Sequence, residues 1–392
     1  MNELARRRVL FVVEGYTDIR FVSGLSTICE LTMLVPAREY RASGLANRVS
    51  ELNLPLRVVE IAGGRRAFQL CSLRWLWRYA GGFDLILAQE ALRGALNANI
   101  AGTRWGVPVV VYMAIAPVEY YRCRRERGQI GPLKALAGEW LIRSLLMLNG
   151  RLATRCVAMG PYLQLLASRY FARTERGLYY GVDTKRFRPA QAVERQALRV
   201  QLGLPEDRFV VLLSSRISHE KDPETVLRAV ALARARGLDA VLLNLGGGWS
   251  EFLALAQKLE VPHPDDWVFA RPAVHPMTEV FQYVRAADAL AQASLAEGSG
   301  AAALEALACG TPVVATAVGG LAMQLKGYAR LVPRRDAAAM AEELHWIAAN
   351  PALARDQALR GRDYVVSEWD RAKAFADLRQ IFAAIAAERG AR

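Results

Sequence analysis

The sequence predicts an α/β chain built as two doubly wound parallel-sheet domains. Short β-branched runs alternate with helical stretches of about a dozen residues, the rhythm of repeated βαβ units. The runs are continuously apolar rather than alternating, as strands covered on both faces require. The rhythm breaks at mid-chain, in the polar, arginine-rich joint "YYGVDTKRFRPAQAVERQALRV" (179–200), a natural linker. A chain of 392 residues then divides into two parts, each long enough to bury its own core.

Taken in order, the first half offers strands at "RVLFVV" (8–13), "LTMLVP" (31–36), "LRVVEI" (56–61), "FDLILA" (83–88) and "VPVVVYM" (107–113). The second offers "RFVVLLS" (208–214), "AVLLNLG" (240–246), "DWVFA" (266–270), "DALAQA" (288–293), "PVVAT" (312–316) and "ARLVP" (329–333). After Asp336 the pattern is helical only. The expected boundaries are 1–185, 186–370 and a terminal helix, 371–392, folding back on the first domain. Residues 306–325 carry no charge, but Gly310, Pro312, Gly319 and Gly320 fit a buried helix–turn–strand unit better than a membrane span. The opening "MNELARRRVLFVVEG" has too short an apolar run for a signal peptide and reads as a first strand.

Composition is that of a globular protein, 53% hydrophobic and 23% charged, with a net charge of +13. The basic excess is confined to residues 1–190, with 28 Lys and Arg against 14 Asp and Glu; the remainder holds 23 against 24. An anionic partner for the first half, a membrane face or an acidic acceptor, is one reading; solvated surface arginines are the other. "CSLRWLWRYAGG" (71–82) and "YYRCRRERGQIGPLKALAGEWLIRSLLML" (120–148) interleave arginine with Trp, Tyr and Leu, as interfacial helices or sheet-covering helices would. No nucleic-acid-binding module accompanies the charge, so nucleic acid is not an expected partner. Five cysteines without CxxC spacing suit reduced thiols in a cytoplasmic protein. With no D-x-D and no His or Cys cluster, no metal and no cofactor are expected.

The segment "EGSGAAALEALACG" (297–310) carries the chemistry. Gly298, Ser299 and Gly300 precede an alanine-rich helix, whose N-terminal N–H groups and dipole favour a phosphate. Glu297 lies just before that turn and Glu305 further along the helix, two carboxylates in an otherwise uncharged stretch. A carboxylate accepts several hydrogen bonds, so the pair suits a phosphate flanked by two polyols, as in a nucleotide sugar. The same letters satisfy G-x-G-x-x-A, but the turn is not in a first βα unit and no acid follows at the right spacing.

The stretch "SLAEGSGAAALEALACGTPVVATAVGG" resembles the E-x7-E segment of the family 4 retaining glycosyltransferases, which have the GT-B fold and belong to the glycosyl transferases group 1. "LLSSRISHEKDPETVLRAV" is similar to that family's R-x4-K segment, "LLNLGGGW" to its glycine turn and "YYGVDTKRFRP" to its hinge. The resemblance covers about residues 155–330. It implies two Rossmann-like domains facing a central cleft, acceptor on the first and donor on the second, with terminal helices crossing back. It implies that Glu297, Arg216 and Lys221 are catalytic, Glu297 on the donor sugar and the two cations on the leaving diphosphate. Gly15, Gly246, Gly247, Gly298, Ser299, Gly300 and Glu305 are the implied donor contacts, Glu305 on the ribose. The implied activity is metal-independent, retaining transfer from a UDP- or GDP-sugar to a glycan, lipid-linked or small-molecule acceptor; the cysteines and the basic first half add the expectation of the cytoplasm or the inner face of a membrane.

Two features depart from the family. The turn after the first strand, "VVEGYTDIRF", has Gly15 alone, and no histidine follows "VPVVVYM" near Met113 and Ala114. The four histidines (His219, His263, His275, His345) all lie in the second half and read as surface or packing residues. Asp18 or Glu119 could replace the absent imidazole, or the reaction needs no base there. Rival readings are a GT-B phosphorylase or sugar-nucleotide epimerase, and a non-catalytic sugar-nucleotide-binding protein.

Overall fold

The computed structural model describes residues 7–126, 128 and 130–390. Among these, the chain forms two compact units. The first runs to Arg125, continues over Ile130–Gly181 and takes in the chain from Ala372; the second is Val182–Arg371 with Glu126 and Gly128.

The first unit is built on a seven-stranded sheet: β1 (Arg8–Val13), β2 (Glu30–Pro36), β3 (Leu56–Ile61), β4 (Leu85–Gln89), β5 (Val109–Met113), β6 (Arg155–Met159) and β7 (Thr174–Gly177). Their order is β3-β2-β1-β4-β5-β6-β7, every pair parallel. The central strands are buried on both faces, Val9 to Val13 without interruption, which is why they read as unbroken apolar runs. Each such Val or Leu contributes about 1.5–3 kcal/mol relative to an exposed side chain. Asp18 starts the helix Ile19–Ile28 by accepting from the Arg20 N–H. The last helix, Arg371–Gly390, seats the Phe375 ring beside Phe21, their centroids 6.2 Å apart.

The second unit holds six parallel strands: β8 (Phe209–Ser214), β9 (Ala240–Leu245), β10 (Val268–Arg271), β11 (Ala289–Gln292), β12 (Val313–Thr316) and β13 (Arg330–Val332), in the order β10-β9-β8-β11-β12-β13. The uncharged stretch 306–325 spans the end of the helix Ala301–Ala308, then β12 and the helix Gly319–Gln324. No helix among the described residues is long and apolar enough to cross a membrane. Both units are thus Rossmann-like α/β domains, with β6 and β7 as strands beyond those expected from the sequence.

In both sheets the unit's first strand lies beside its fourth, β1 beside β4 and β8 beside β11. The chain winds away in opposite directions from that junction. The connecting loops therefore part at the carboxyl ends of the strands and leave a crevice, the usual ligand position in doubly wound sheets.

Candidate active site

In the second unit, two loops frame the β8/β11 crevice. After β8 the chain passes Arg216 and a single tight turn, His219–Lys221, before the helix Pro223–Ala235. After β11 it runs through Glu297 to Gly300 and the helix Ala301–Ala308. The Leu295 N–H donates to the Glu220 carbonyl at 2.8 Å, tying one loop to the other. This brings Lys221 and Glu297, distant in sequence, into an ion pair with Nζ 2.5 Å from Oε2.

Glu297 is only 7% exposed. A carboxylate that far from water needs donors, and it has them on one oxygen. Besides Lys221, Oε2 accepts from Gln292 Nε2 at 2.9 Å and from Ser294 Oγ at 3.0 Å. Oε1 lies outside this cluster. The backbone is fixed as well: Gly320 N–H donates to the Glu297 carbonyl at 2.9 Å, and Thr316 Oγ1 to the Ser294 carbonyl at 2.6 Å.

Gly298, Ser299 and Gly300 lead into the helix Ala301–Ala308, with Gly300 as its N-cap at φ 72°. Only glycine fits there, since a Cβ would suffer left-handed strain and stand 2.3 Å from Leu321 Cδ2. The helix's first N–H groups and the positive end of its dipole therefore face the loop that carries Glu297. Glu305 is buried further along the helix. Gly246 and Gly247 follow β9, the strand next to β8. A Cβ on Gly246 would lie 2.1 Å from the Ser215 carbonyl oxygen, and Ile217 N–H donates to the Gly247 carbonyl at 2.8 Å. The glycine turn thus lies directly against the loop of Arg216, whose side chain is exposed.

Because β9, β8 and β11 are neighbours and parallel, Gly246–Gly247, Arg216–Lys221 and Glu297–Gly300 follow one another along the carboxyl end of the sheet. Gly15 belongs to the first unit, with open space where a Cβ would stand. The direct pairing of Lys221 with Glu297 goes beyond the sequence-based expectation, which set the lysine against a diphosphate and the glutamate against a sugar. Among the described residues no three His, Cys, Asp or Glu side chains gather as a metal site.

Residues 194–364 match the family model described as Glycosyl transferases group 1. A D-inositol 3-phosphate glycosyltransferase of Streptomyces avermitilis is 32% identical over 331 residues, 78% of this chain and 68% of that protein. The chain belongs to the group 1 glycosyl transferases. A protein of the same description from Catenulispora acidiphila is 33% identical over 290 residues, 70% of this chain and 66% of the relative. The chain therefore matches only about two-thirds of the length of these curated relatives, 66% of one and 68% of the other. The fold is shared with Anabaena HepE, solved in complex with UDP (TM-score 0.76, 17% identity, 96% of this chain and 100% of that one). It is also shared with sucrose-phosphate synthase from Thermosynechococcus elongatus (TM-score 0.74, 19% identity, 98% and 100%).

In this group 1 chain the first unit's β1/β4 crevice holds a carboxyl that sequence reasoning does not single out. Burial alone would raise Asp18, but the Arg20 guanidinium, 2.9 Å away, outweighs it and holds the carboxyl below its ordinary value. Glu119 accepts a hydrogen bond from the Tyr162 hydroxyl. Both candidates for the missing imidazole are thus engaged by neighbours. Glu90, immediately after β4, has a left-handed backbone at φ 66°. Its Oε1 accepts from the Ala114 N–H at 3.3 Å, so it reaches the very place that lacks a histidine. Its Oε2 is buried with no hydrogen-bond partner. Burial pushes this carboxyl up to about 8, against the opposing pull of the Ala114 and Ile115 N–H groups and of Arg65. The only signal in the sequence is an acid ending the apolar run "LILAQE".

A testable consequence concerns pH. Glu90 holds its proton more tightly when folded (about 8) than when unfolded (4.5), so folding takes up a proton between those values. Its contribution to stability is complete below pH 4.5, declines as pH rises through that window and is lost above 8. Glu90→Gln is expected to match wild type at pH 5 and to exceed it at pH 9 by on the order of 1–3 kcal/mol. Thermal melts of both proteins at the two pH values check this; parallel curves would contradict it.

Proposed function

We propose that the protein is a retaining glycosyltransferase of the family 4 type, moving a sugar from a UDP- or GDP-sugar to a hydroxyl acceptor without a metal ion. One observation carries the reading: at the β8/β11 crevice, Glu297 is held by one oxygen beside Lys221, at the mouth of a glycine-led helix. Glu297 would use Oε1 on donor-sugar hydroxyls. Arg216, Lys221 and the N–H groups after Gly298 would take the charge that builds on the departing diphosphate, with Gly246 and Gly247 letting it approach. Glu305 would serve the ribose. The UDP complex of HepE supports UDP as the nucleotide, and the names of the relatives support a small phosphorylated polyol as acceptor.

Retention draws support from the state of the three carboxyls that could act as a base in the first unit, none of them both ionised and free. Asp18 is paired, Glu119 is hydrogen-bonded, and Glu90, raised to about 8, is mostly neutral at pH 7. In the proposed step the bond from C1 to the β-phosphate oxygen breaks, the acceptor oxygen bonds to C1 on the same face, and the acceptor proton passes to that phosphate oxygen. Proton NMR of a reaction in EDTA, with UDP-glucose or GDP-mannose and inositol 3-phosphate, tests this. Release of UDP or GDP with an α-linked product is expected. A β-linked product or restoration by Mg²⁺ alone would contradict it, and release of sugar phosphate instead would favour the phosphorylase alternative.

A membrane surface as partner draws support from the helix Pro132–Leu152. Leu133 (82% exposed), Leu136 and Trp140 (69%) recur at i, i+3 and i+7, so they share one face. Arg124 and Arg125 are exposed on the preceding helix, while Arg127 lies outside the described residues. Arg122 and Arg143 are partly spent on Glu139, which their hydrogen bonds hold at about 2. Binding to phosphatidylserine vesicles should be strong at low salt, fall with salt, and drop further in Arg124→Glu/Arg125→Glu and in Trp140→Ala. No binding at low salt would return these residues to a solvated surface.

A further inference from the structure

Gln292 closes β11, whose other residues, Ala289, Leu290 and Ala291, are apolar and buried. It is only 6% exposed. A buried primary amide brings two N–H donors and a carbonyl acceptor that all need partners. Gln292 is satisfied on one side only. Its Nε2 donates to Glu297 Oε2 at 2.9 Å and toward Ser294 Oγ at 3.3 Å, while Oε1 is buried with no hydrogen-bond partner. A carboxylate can only accept, so the amide must turn Nε2 toward Glu297 and its carbonyl away. A leucine of similar size would fill this space with no polar atom to satisfy. The orphaned carbonyl oxygen therefore offsets part of what the bond to Glu297 contributes, and a half-satisfied buried group of this kind points to function.

We propose that Gln292 is a positioning residue for the donor sugar: with Ser294 it anchors Glu297 by Oε2, so that Oε1 keeps its aim when the Lys221 ammonium turns to the diphosphate. The geometry explains why two neutral donors sit beside a lysine that already neutralises the charge. Lysine is a mobile point charge on a flexible stem, and a diphosphate competes for it. Gln292 ends a strand of the central sheet and cannot follow. Once the lysine is shared, the amide and the hydroxyl are what hold the carboxylate in one rotamer. The inference rests on the reading of Glu297 as the donor-sugar ligand.

The test compares Gln292→Leu with wild type by calorimetric titration of UDP, GDP and their sugars, with melting curves alongside. UDP or GDP affinity should stay within about twofold, while the extra affinity of the nucleotide sugar over the bare nucleotide falls by about tenfold, as does kcat. The melting temperature should stay within a few degrees of wild type, because the amide bond lost from Glu297 and the orphaned carbonyl removed with it act in opposite directions. Gln292→Glu, which sets a second carboxylate against Glu297, should lose the sugar increment altogether. Equal weakening of nucleotide and nucleotide sugar by Gln292→Leu, or no change in either, would overturn the proposal. If Glu297→Gln itself leaves the sugar increment intact, the reading of Glu297 fails and this inference falls with it.

Discussion

Glu297→Gln is expected to lower turnover by about 10²-fold or more with the fold preserved. The amide is nearly isosteric, so packing in the loop before Gly298 survives. What changes is the charge and the pattern of donors. Glu297 Oε2 accepts from Lys221, Gln292 and Ser294 at once. A glutamine can present one carbonyl oxygen to those donors, but its NH₂ then replaces the acceptor oxygen that the donor sugar would meet. A hydrogen bond to a charged acceptor is roughly twice as strong as one between neutral groups, and the difference grows as positive charge develops at the sugar's C1. Single-turnover rates beside melting curves check this. Equal rates in wild type and variant would remove Glu297 from the mechanism.

Lys221→Ala and Arg216→Ala should each slow the chemical step by at least about tenfold, and together by less than the product of the two, since both act on one leaving group. Their effects on stability should differ. Lys221 Nζ lies 2.5 Å from a largely buried carboxylate, so removing it leaves Glu297 without a cation at a cost of up to about 3 kcal/mol. Arg216 is exposed, and its loss should change stability by no more than about 0.5 kcal/mol. Strict multiplicativity of the two rate effects would show that the cations act on different groups.

Most strands buried on both faces were legible in the sequence. Runs such as "RVLFVV" and "AVLLNLG" carry an apolar signal that survives a boundary error of a residue or two. β6 and β7 were not: β6, "RCVAM", is buried but only five residues long and opens on an arginine, while β7, the edge strand "TERG", is short and polar, with Glu175 paired to Arg155 across the two strands. An edge strand needs no apolar run, so periodicity cannot find it. At the site, the glycine turns and the acids of "EGSGAAALEALACG" could be read from chain order alone. The Lys221–Glu297 pair could not, since it follows from β8 lying beside β11, a fact of topology. Gln292 and Glu90 escaped for a further reason: a lone polar residue at the end of an apolar run has meaning only once its partners are known.

Everything proposed for the site requires a nucleoside diphosphate to bind at the carboxyl end of β8, against Arg216 and Lys221. Calorimetric titration of UDP and GDP into wild type, Arg216→Ala and Lys221→Ala tests this most directly. One of the two nucleotides should bind wild type in EDTA, and each variant should weaken it by about tenfold, the size of one lost charge-assisted contact. Affinity unchanged in both variants, or no binding of either nucleotide to wild type, would contradict it.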